Sequence, residues 1–153
     1  MRELIIIPLA IFIVILFAAV AFRFGSPSAK KGVAISVGGH PLIVEVADTM
    51  TSRSQGLSGR EPLPSDGGML FAFSKPGNYG FWMKDMKFAL DFVWVNGATV
   101  VGMNENVPTE PNGNILTYNH YYPPEPADKV LEVNAGTVAR LGIRVGDTLE
   151  YAP

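Results

Sequence analysis

Side chains that could bind or transform a ligand are concentrated between residues 53 and 91. The charged members are two arginines, a lysine and two aspartates: Arg53, Arg60, Lys84, Asp85 and Asp91. Asp91 lies in a mostly apolar stretch, and a carboxylate there cannot stay unpaired without a cost of several kcal/mol. We therefore expect a cation, either Lys84 or one of the arginines, to reach Asp91. Such a pair either fastens a loop to the sheet or lines a small polar pocket.

Aromatic residues close to these charges favour the pocket interpretation. Trp82 precedes Lys84 by two positions, and Tyr121 and Tyr122 belong to a long loop that could form a lip. The predicted binding residues are Arg53, Arg60, Trp82, Lys84, Asp85, Asp91, Tyr121 and Tyr122. The function that fits them is binding of a small polar ligand, a glycan or a cell-envelope partner.

Two other classes of function stay open. In the first, the protein is an enzyme in which Asp91 or Asp85 performs acid or base work while an arginine or lysine stabilises charge. In the second, it is a structural envelope protein, and the charged cluster is closed and fully hydrogen-bonded.

The sequence contains none of the common catalytic or metal-binding motifs. HExxH, GxSxG, the phosphate-binding glycine loop and the dinucleotide fingerprint are absent, and His40 and His120 are the only histidines. The absence of cysteine excludes disulfides, thiolate zinc sites and iron–sulfur clusters. A copper(I) site of methionine and histidine is a weaker interpretation than core packing, because the methionines lack clustered spacing. We predict no catalytic motif, no metal and no cofactor.

The first thirty residues of the 153-residue chain differ from the rest in composition. From Leu4 to Phe22 there is no charge, and at about 1.5 Å per residue this run spans roughly 28 Å, close to the thickness of a bilayer's hydrocarbon core. It predicts a transmembrane anchor or signal peptide over residues 1–24, followed by a small, polar, basic linker at 25–32. Ala19 and Ala21 have the spacing of a cleavage site, so a cleaved, secreted form is an alternative.

The charges flanking this run bear on its orientation. Arg23, Lys30 and Lys31 follow the apolar segment, and the positive-inside rule alone would keep the next domain in the cytoplasm. We nevertheless expect the domain to face the periplasm or the cell exterior, partly on the resemblance described below.

The remaining residues, 33–153, carry an excess of acidic side chains. They contain 8 Lys and Arg against 13 Asp and Glu, a net charge of −5. Nucleic acid is therefore a poor partner, because phosphate contacts supply most of that affinity.

Short strands are the elements expected to position the charged residues. A hairpin is predicted over Val33 to Ala47 with its turn at Gly38 and Gly39, and Asn96-Gly97 predicts a second hairpin of type I′ in which Asp91 faces Gly102. Further strands are expected at 69–73, 130–133 and 148–151, with helical turns at 51–55 and 137–141. Residues 33–153 are thus predicted to be mainly β, a compact sandwich or barrel-like domain with one or two short helices, preceded by the transmembrane helix.

Four ordered motifs resemble a known family. They are GLSGR at 56–60 with Arg53 before it, GMLFAF at 68–73, FWMKDMKFALDFVWV at 81–95 and VLEVNAGTVARLGIRVGD at 130–147. Together they resemble the domain of unknown function 192 family. The resemblance implies a small exported or membrane-anchored domain with a mainly β fold, and it implies no established chemistry. The family pattern usually has Asn-Thr where this chain has Asp85 and Met86, and commonly Met where it has Ser58.

Overall fold

The computed structural model describes residues 32–113 and 116–152. The predicted membrane anchor or signal peptide and nearly all of the predicted linker lie outside these residues. Within the described ranges, no helix is long and apolar enough to cross a membrane.

Seven strands form one sheet in the order β5-β4-β6-β3-β2-β1-β7. All pairings are antiparallel except that of β2 with β3. The strands are β1 Val33–Val37, β2 His40–Ala47, β3 Gly67–Gly77, β4 Leu90–Asn96, β5 Thr99–Val107, β6 Ala127–Asn134 and β7 Leu149–Tyr151. Helix α1, Met50–Gln55, connects β2 to β3, and helix α2, Thr137–Leu141, connects β6 to β7.

The sheet curls until its two edges meet beside the β4–β5 turn. Thr99 forms a bridge with Thr148, and Leu149 N donates to Ala98 O at 2.7 Å. These bonds join the β5 edge to the β7 edge at one end, so the sheet is a half-barrel. The predictions of a mainly β domain and of one or two short helices are confirmed.

Both predicted helical turns are present because local capping residues specify them. Thr49 and Ser52 form a reciprocal capping box at the start of α1, and Gly56 ends that helix with a positive φ of 49°. Gly142 ends α2 in the left-handed conformation with φ 67°. The predicted β1–β2 hairpin, with its turn at Gly38 and Gly39, is also present.

The β4–β5 hairpin is present, but its predicted register is wrong. Asn96 pairs with Thr99, so the turn residues are Gly97 and Ala98, and only Gly97 has a positive φ. That pattern fits a type II′ turn. A bulge beyond Val95 then places Gly102 opposite Trp94 instead of Asp91. The Asn-Gly signal located the hairpin, whereas the bulge set the pairing of residues further along the strands.

Each face of the sheet carries its own hydrophobic core. One face, called here the aliphatic face, carries Val93, Val95, Leu131 and Val133 and packs against α2. The opposite face, called here the aromatic face, carries Phe71, Phe92, Trp94 and Val130 and is covered by the loops at 57–63 and 79–88. Because both faces are buried, strand β4 is apolar on both sides, as its sequence predicted.

Candidate functional site

A pocket of about 240 Å³ opens on the aromatic face of the sheet. Its walls are residues 53–58 at the end of α1, Phe71 and Phe73 of β3, residues 79–82 with Met86, and Glu132 of β6. The pocket therefore combines aromatic rings with one carboxyl group and one guanidinium group, which is the composition of a small-ligand site.

Glu132 is the carboxyl group of this pocket, and it is only 5% exposed. It pairs across the sheet with Met69 on β3 and Phe92 on β4, so its lateral neighbours are apolar. Among the described residues its side chain has no hydrogen-bond or ion-pair partner. Burial raises the pKa of Glu132 from 4.5 to about 8, because the charged form loses its hydration. At neutral pH the group is therefore mainly a neutral acid.

Arg53 is the guanidinium group of the pocket, and half of it holds α1 in place. Its Nη1 donates to Asp48 O at 2.6 Å and to Ala72 O at 2.8 Å, and its Cζ lies 5.0 Å from the centroid of the Phe73 ring. Its Nε and Nη2 donate to no described residue. These two nitrogens form the side of the guanidinium that binds a carboxylate with two parallel hydrogen bonds.

The aromatic wall is held by ring contacts that extend into the core. Phe73 stacks on Tyr79 with centroids 3.7 Å apart, and Phe81 meets Phe71 edge to face at 4.9 Å. Trp82 lies at the rim, 5.4 Å from His120 and 5.9 Å from Tyr118. The inner wall is thus rigid, since Phe81 also packs on Trp94 at 5.6 Å.

Two glycines allow the pocket to form. At Gly56 a Cβ atom would lie 3.3 Å from the Phe71 ring, and the positive φ lets the chain turn so that Leu57 enters the core. At Gly80 a Cβ atom would lie 2.7 Å from the Tyr122 ring, so this ring packs directly on the backbone. A side chain at Gly56 would press on the Phe71 wall of the pocket, whereas one at Gly80 would displace the Tyr122 ring beside the pocket.

Asp91 lies outside this pocket, and the expectation that a cation reaches it is wrong. It is fully buried on the aliphatic face beside Val133. Its carboxylate accepts hydrogen bonds from Asn106 N at 2.8 Å, Val138 N at 2.9 Å and Gly136 N at 3.2 Å. Backbone N–H groups at the start of α2 and at an irregular point of β5 therefore take the place of the expected cation.

The other predicted charged residues form separate ion pairs away from the pocket lining. Arg60 binds Glu45 through two bonds of 2.6 and 3.1 Å. Lys84 pairs with its neighbour Asp85 at an exposed turn, and the hydrogen bond and charge of Asp85 raise the pKa of Lys84. Only Arg53 and Trp82, of the eight predicted binding residues, lie in the lining.

The two predicted tyrosines have different surroundings. Tyr121 forms a backbone bridge with Phe81, and its ring contacts Phe92 at 5.6 Å. Burial, with a smaller contribution from the charge of Glu110, raises the pKa of Tyr121. Tyr122 is 51% exposed and packs over Gly80 beside the pocket. The predicted lip is therefore next to the pocket, although neither tyrosine belongs to its lining.

No three His, Asp or Glu side chains of the described residues are grouped so that they could hold a metal ion.

Glu132 is the charged residue of the pocket lining that the prediction of binding residues missed. It lies in VLEVN, where apolar residues flank it on both sides. The argument applied to Asp91, that a carboxylate on an apolar strand needs a partner, applies equally to Glu132. This signal was present in the sequence, whereas the missing donors could be seen only in the structure.

Comparisons with known proteins address the family. The DUF192 family model, described as "Uncharacterized ACR", matches residues 33–151. The chain belongs to this family. Similar solved structures include a protein of Sinorhizobium meliloti 1021 provisionally described as a transcription regulator, with 32% identity and a TM-score of 0.72. That match covers 82% of this chain and 98% of the other.

A protein of unknown function from Novosphingobium aromaticivorans DSM 12444 is similar at 27% identity, with a TM-score of 0.70 and coverage of 83% and 99%. A search of the curated proteins finds no match. Membership of the DUF192 family therefore assigns no established activity to this domain.

Proposed function

We propose that this DUF192 domain is a binding module that takes a small polar ligand into the pocket above Glu132. The observation that carries the proposal is a carboxyl group that is 5% exposed, has no partner among the described residues and lines a pocket of about 240 Å³. The Glu132 carboxyl group borders the pocket and accepts no hydrogen bond from a described residue, so its hydrogen-bonding capacity is available to a ligand. A ligand that hydrogen-bonds to Glu132 gains a polar contact that no described protein group makes.

The size and walls of the pocket limit the ligand. The volume is below the roughly 300–1,000 Å³ of drug-sized sites, so we expect one small molecule or one terminal unit of a larger one. Phe81 and Trp82 supply flat apolar surface, and Glu132 and Arg53 supply polar contacts. A glycan or an envelope partner would therefore insert only a single sugar or side chain.

A catalytic role is the second candidate, because a pKa of about 8 suits proton transfer near neutral pH. The lining, however, has no histidine and no second carboxyl group. Asp91 and Asp85, the predicted acid–base residues, both lie outside it. Binding is therefore the better supported function, and turnover of a bound ligand that is lost in Glu132→Gln would favour catalysis instead.

Titration by two-dimensional NMR tests the binding proposal. Neutral sugars, amines, carboxylic acids and amino acids are added separately to the full chain, and shifts of the Gly56, Gly80 and Glu132 amides are followed. We expect at least one class to shift these amides, and the shifts to vanish in Ser54→Trp, which fills the mouth of the pocket. Thr51→Trp is the matched control, because Thr51 is exposed on the same helix and outside the lining. Unchanged pocket amides with every class would overturn the proposal.

We also propose that the segment from Leu4 to Phe22 anchors the domain in a membrane, on the strength of its charge-free sequence. The proposed outside orientation is the one that the family resemblance implies, and it runs against the charges at Arg23, Lys30 and Lys31. Because the chain has no cysteine, Glu125→Cys provides a single thiol at an exposed loop. A maleimide that cannot cross membranes should label this thiol in intact cells. Labelling that requires lysis would place the domain inside.

A further inference from the structure

We propose that the ligand of the pocket is a small zwitterion, such as a free amino acid, with its ammonium group at Glu132 and its carboxylate at Arg53. This inference rests on the proposed function and specifies the class of ligand. It depends on two groups that line one pocket: Arg53, whose Nε and Nη2 have no acceptor among the described residues, and Glu132, whose oxygens have no donor there.

The carboxylate end of the ligand is assigned from the geometry of Arg53. Nη1 is occupied by two backbone carbonyl groups, which fix the plane of the guanidinium together with the Phe73 ring. Nε and Nη2 have no acceptor among the described residues. A planar anion can accept both N–H groups at once, and carboxylate matches the spacing of this fork. Arg53 is therefore oriented for a carboxylate before any ligand arrives.

The ammonium end is assigned from the surroundings of Glu132. No described donor reaches its oxygens, and the nearby walls include the aromatic rings of Phe71, Phe81 and Trp82. Aromatic rings attract cations, and a cation next to an ionised Glu132 would gain both ion pairing and ring contacts. A neutral hydroxyl group would gain only a hydrogen bond. An ammonium group is therefore expected to bind more tightly beside Glu132 than a hydroxyl group.

One molecule is expected to span both ends, because Glu132 and Arg53 do not neutralise each other. Among the described residues Arg53 donates only to Asp48 O and Ala72 O, and Glu132 accepts from no donor, so no hydrogen bond or ion pair joins the two side chains. The two groups thus lie in the same lining without forming a pair. A ligand with separated opposite charges can satisfy both, whereas a simple amine or a simple acid leaves one group without a partner.

The pH dependence of binding follows from this arrangement. Glu132 must lose its proton to meet an ammonium group, so affinity should rise by up to about tenfold per pH unit between pH 6 and 8. The other ionisable groups of the lining are Arg53, which stays charged, and Tyr79, whose hydroxyl donates to Lys75 O. A ligand that only accepts a hydrogen bond from the neutral acid would show the opposite trend.

Calorimetric titration of the full chain with the twenty common amino acids tests the inference. For the tightest binder, the corresponding amine without the carboxylate and acid without the amino group are then measured, with glucose as the neutral probe. We expect each truncated analogue to bind at least about 30-fold more weakly than the amino acid, as for loss of one buried charge partner.

Variants of the two end groups complete the test. Arg53→Lys should weaken the amino acid at least about tenfold and leave the amine nearly unchanged, because only the carboxylate end is affected. The matched control is Arg60→Lys, whose guanidinium pairs with Glu45 outside the lining. Glu132→Gln should remove the rise of affinity with pH, and Glu61→Gln, at an exposed surface pair, should retain it.

Two results would overturn the inference. If glucose, the amine or the acid binds in the pocket at least as tightly as the tightest-binding amino acid, the zwitterion inference is wrong but the proposed binding function remains. If none of these probes, no amino acid and no compound of the wider NMR panel binds in the pocket, the inference and the proposed function are both wrong.

Discussion

Asp91 and Glu132 are buried carboxyl groups on the neighbouring strands β4 and β6, and they lie on opposite faces of the sheet. Asp91 accepts three backbone hydrogen bonds, whereas Glu132 has no partner among the described residues. The fold alone therefore explains Asp91, and it does not explain Glu132. A buried acid indicates a site only when its hydrogen bonds have been counted and found missing.

Removing Asp91, the acid whose hydrogen bonds are complete, should have the largest effect on stability. We expect Asp91→Ala to lower the free energy of unfolding by about 3–5 kcal/mol, because three buried N–H groups lose their acceptor at once. Urea unfolding monitored by tryptophan fluorescence measures the change. Asp85→Asn is the control, since Asp85 is exposed and Asn tolerates its positive φ of 55°. A wild-type stability for Asp91→Ala would contradict the structural role of Asp91.

Removing Glu132, the acid without a partner among the described residues, should raise the free energy of unfolding instead of lowering it. The folded-state pKa of Glu132, about 8, is above the ordinary 4.5, so unfolding releases this carboxyl group to ionise between these two values. The wild-type protein therefore loses stability as pH rises from about 4.5 to 8. We expect Glu132→Gln to be more stable than wild type by about 2–4 kcal/mol at pH 9 and nearly equal to it at pH 4.5.

Unfolding free energies at pH 4.5, 7 and 9 check this expectation for Glu132→Gln beside Glu61→Gln. The latter should follow the wild type at every pH, because Glu61 is exposed. If Glu132→Gln is destabilised equally at all three values, then Glu132 has a stabilising partner and the contrast with Asp91 disappears.

Arg53 and Arg60 provide a similar comparison, with smaller expected changes in the free energy of unfolding. Arg53→Ala should cost about 1–2 kcal/mol, because two carbonyl acceptors and the Phe73 ring contact are lost. Arg60→Ala loses a partly exposed ion pair with Glu45 and should cost about 0.5–1 kcal/mol. Thermal unfolding of the two variants side by side ranks them, and the reverse order would weaken the assignment of Arg53 as a fixed element of the pocket.

The smallest effect is expected at the lysine that the sequence placed in the site. Lys84→Ala should change the free energy of unfolding by less than about 0.5 kcal/mol, because its pair with Asp85 is at the surface. It should also leave ligand shifts at the Gly56 and Gly80 amides unchanged. Loss of those shifts in Lys84→Ala would show that Lys84 contributes to ligand binding.

Local signals made much of the fold predictable. The Thr49 cap, the glycines after both helices and the Asn96-Gly97 turn each act within a few residues, so the helices and hairpins were located correctly. The register of β5 was not predictable, because it depends on bulges that place Asn106 N against Asp91 from the next strand. Long-range pairing of this kind leaves no regular spacing in the sequence.

The site was predictable only in part for the same reason. Arg53 and Trp82 were identified from their residue types, and both line the pocket. The partners of Arg60 and Asp91 come from distant strands and loops, so composition could not separate a structural contact from a ligand contact. Glu132 was missed because its neighbours in sequence are apolar, which is equally typical of a buried core strand.

The most direct test of the central claim is an NMR titration of the Glu132 side-chain carboxyl carbon in the full, ligand-free chain. Burial of this group, which no described donor offsets, should give a pKa near 8. A value near 4.5 would mean that Glu132 is solvated or paired in the folded protein, and the pocket would then lose the group on which both proposals depend.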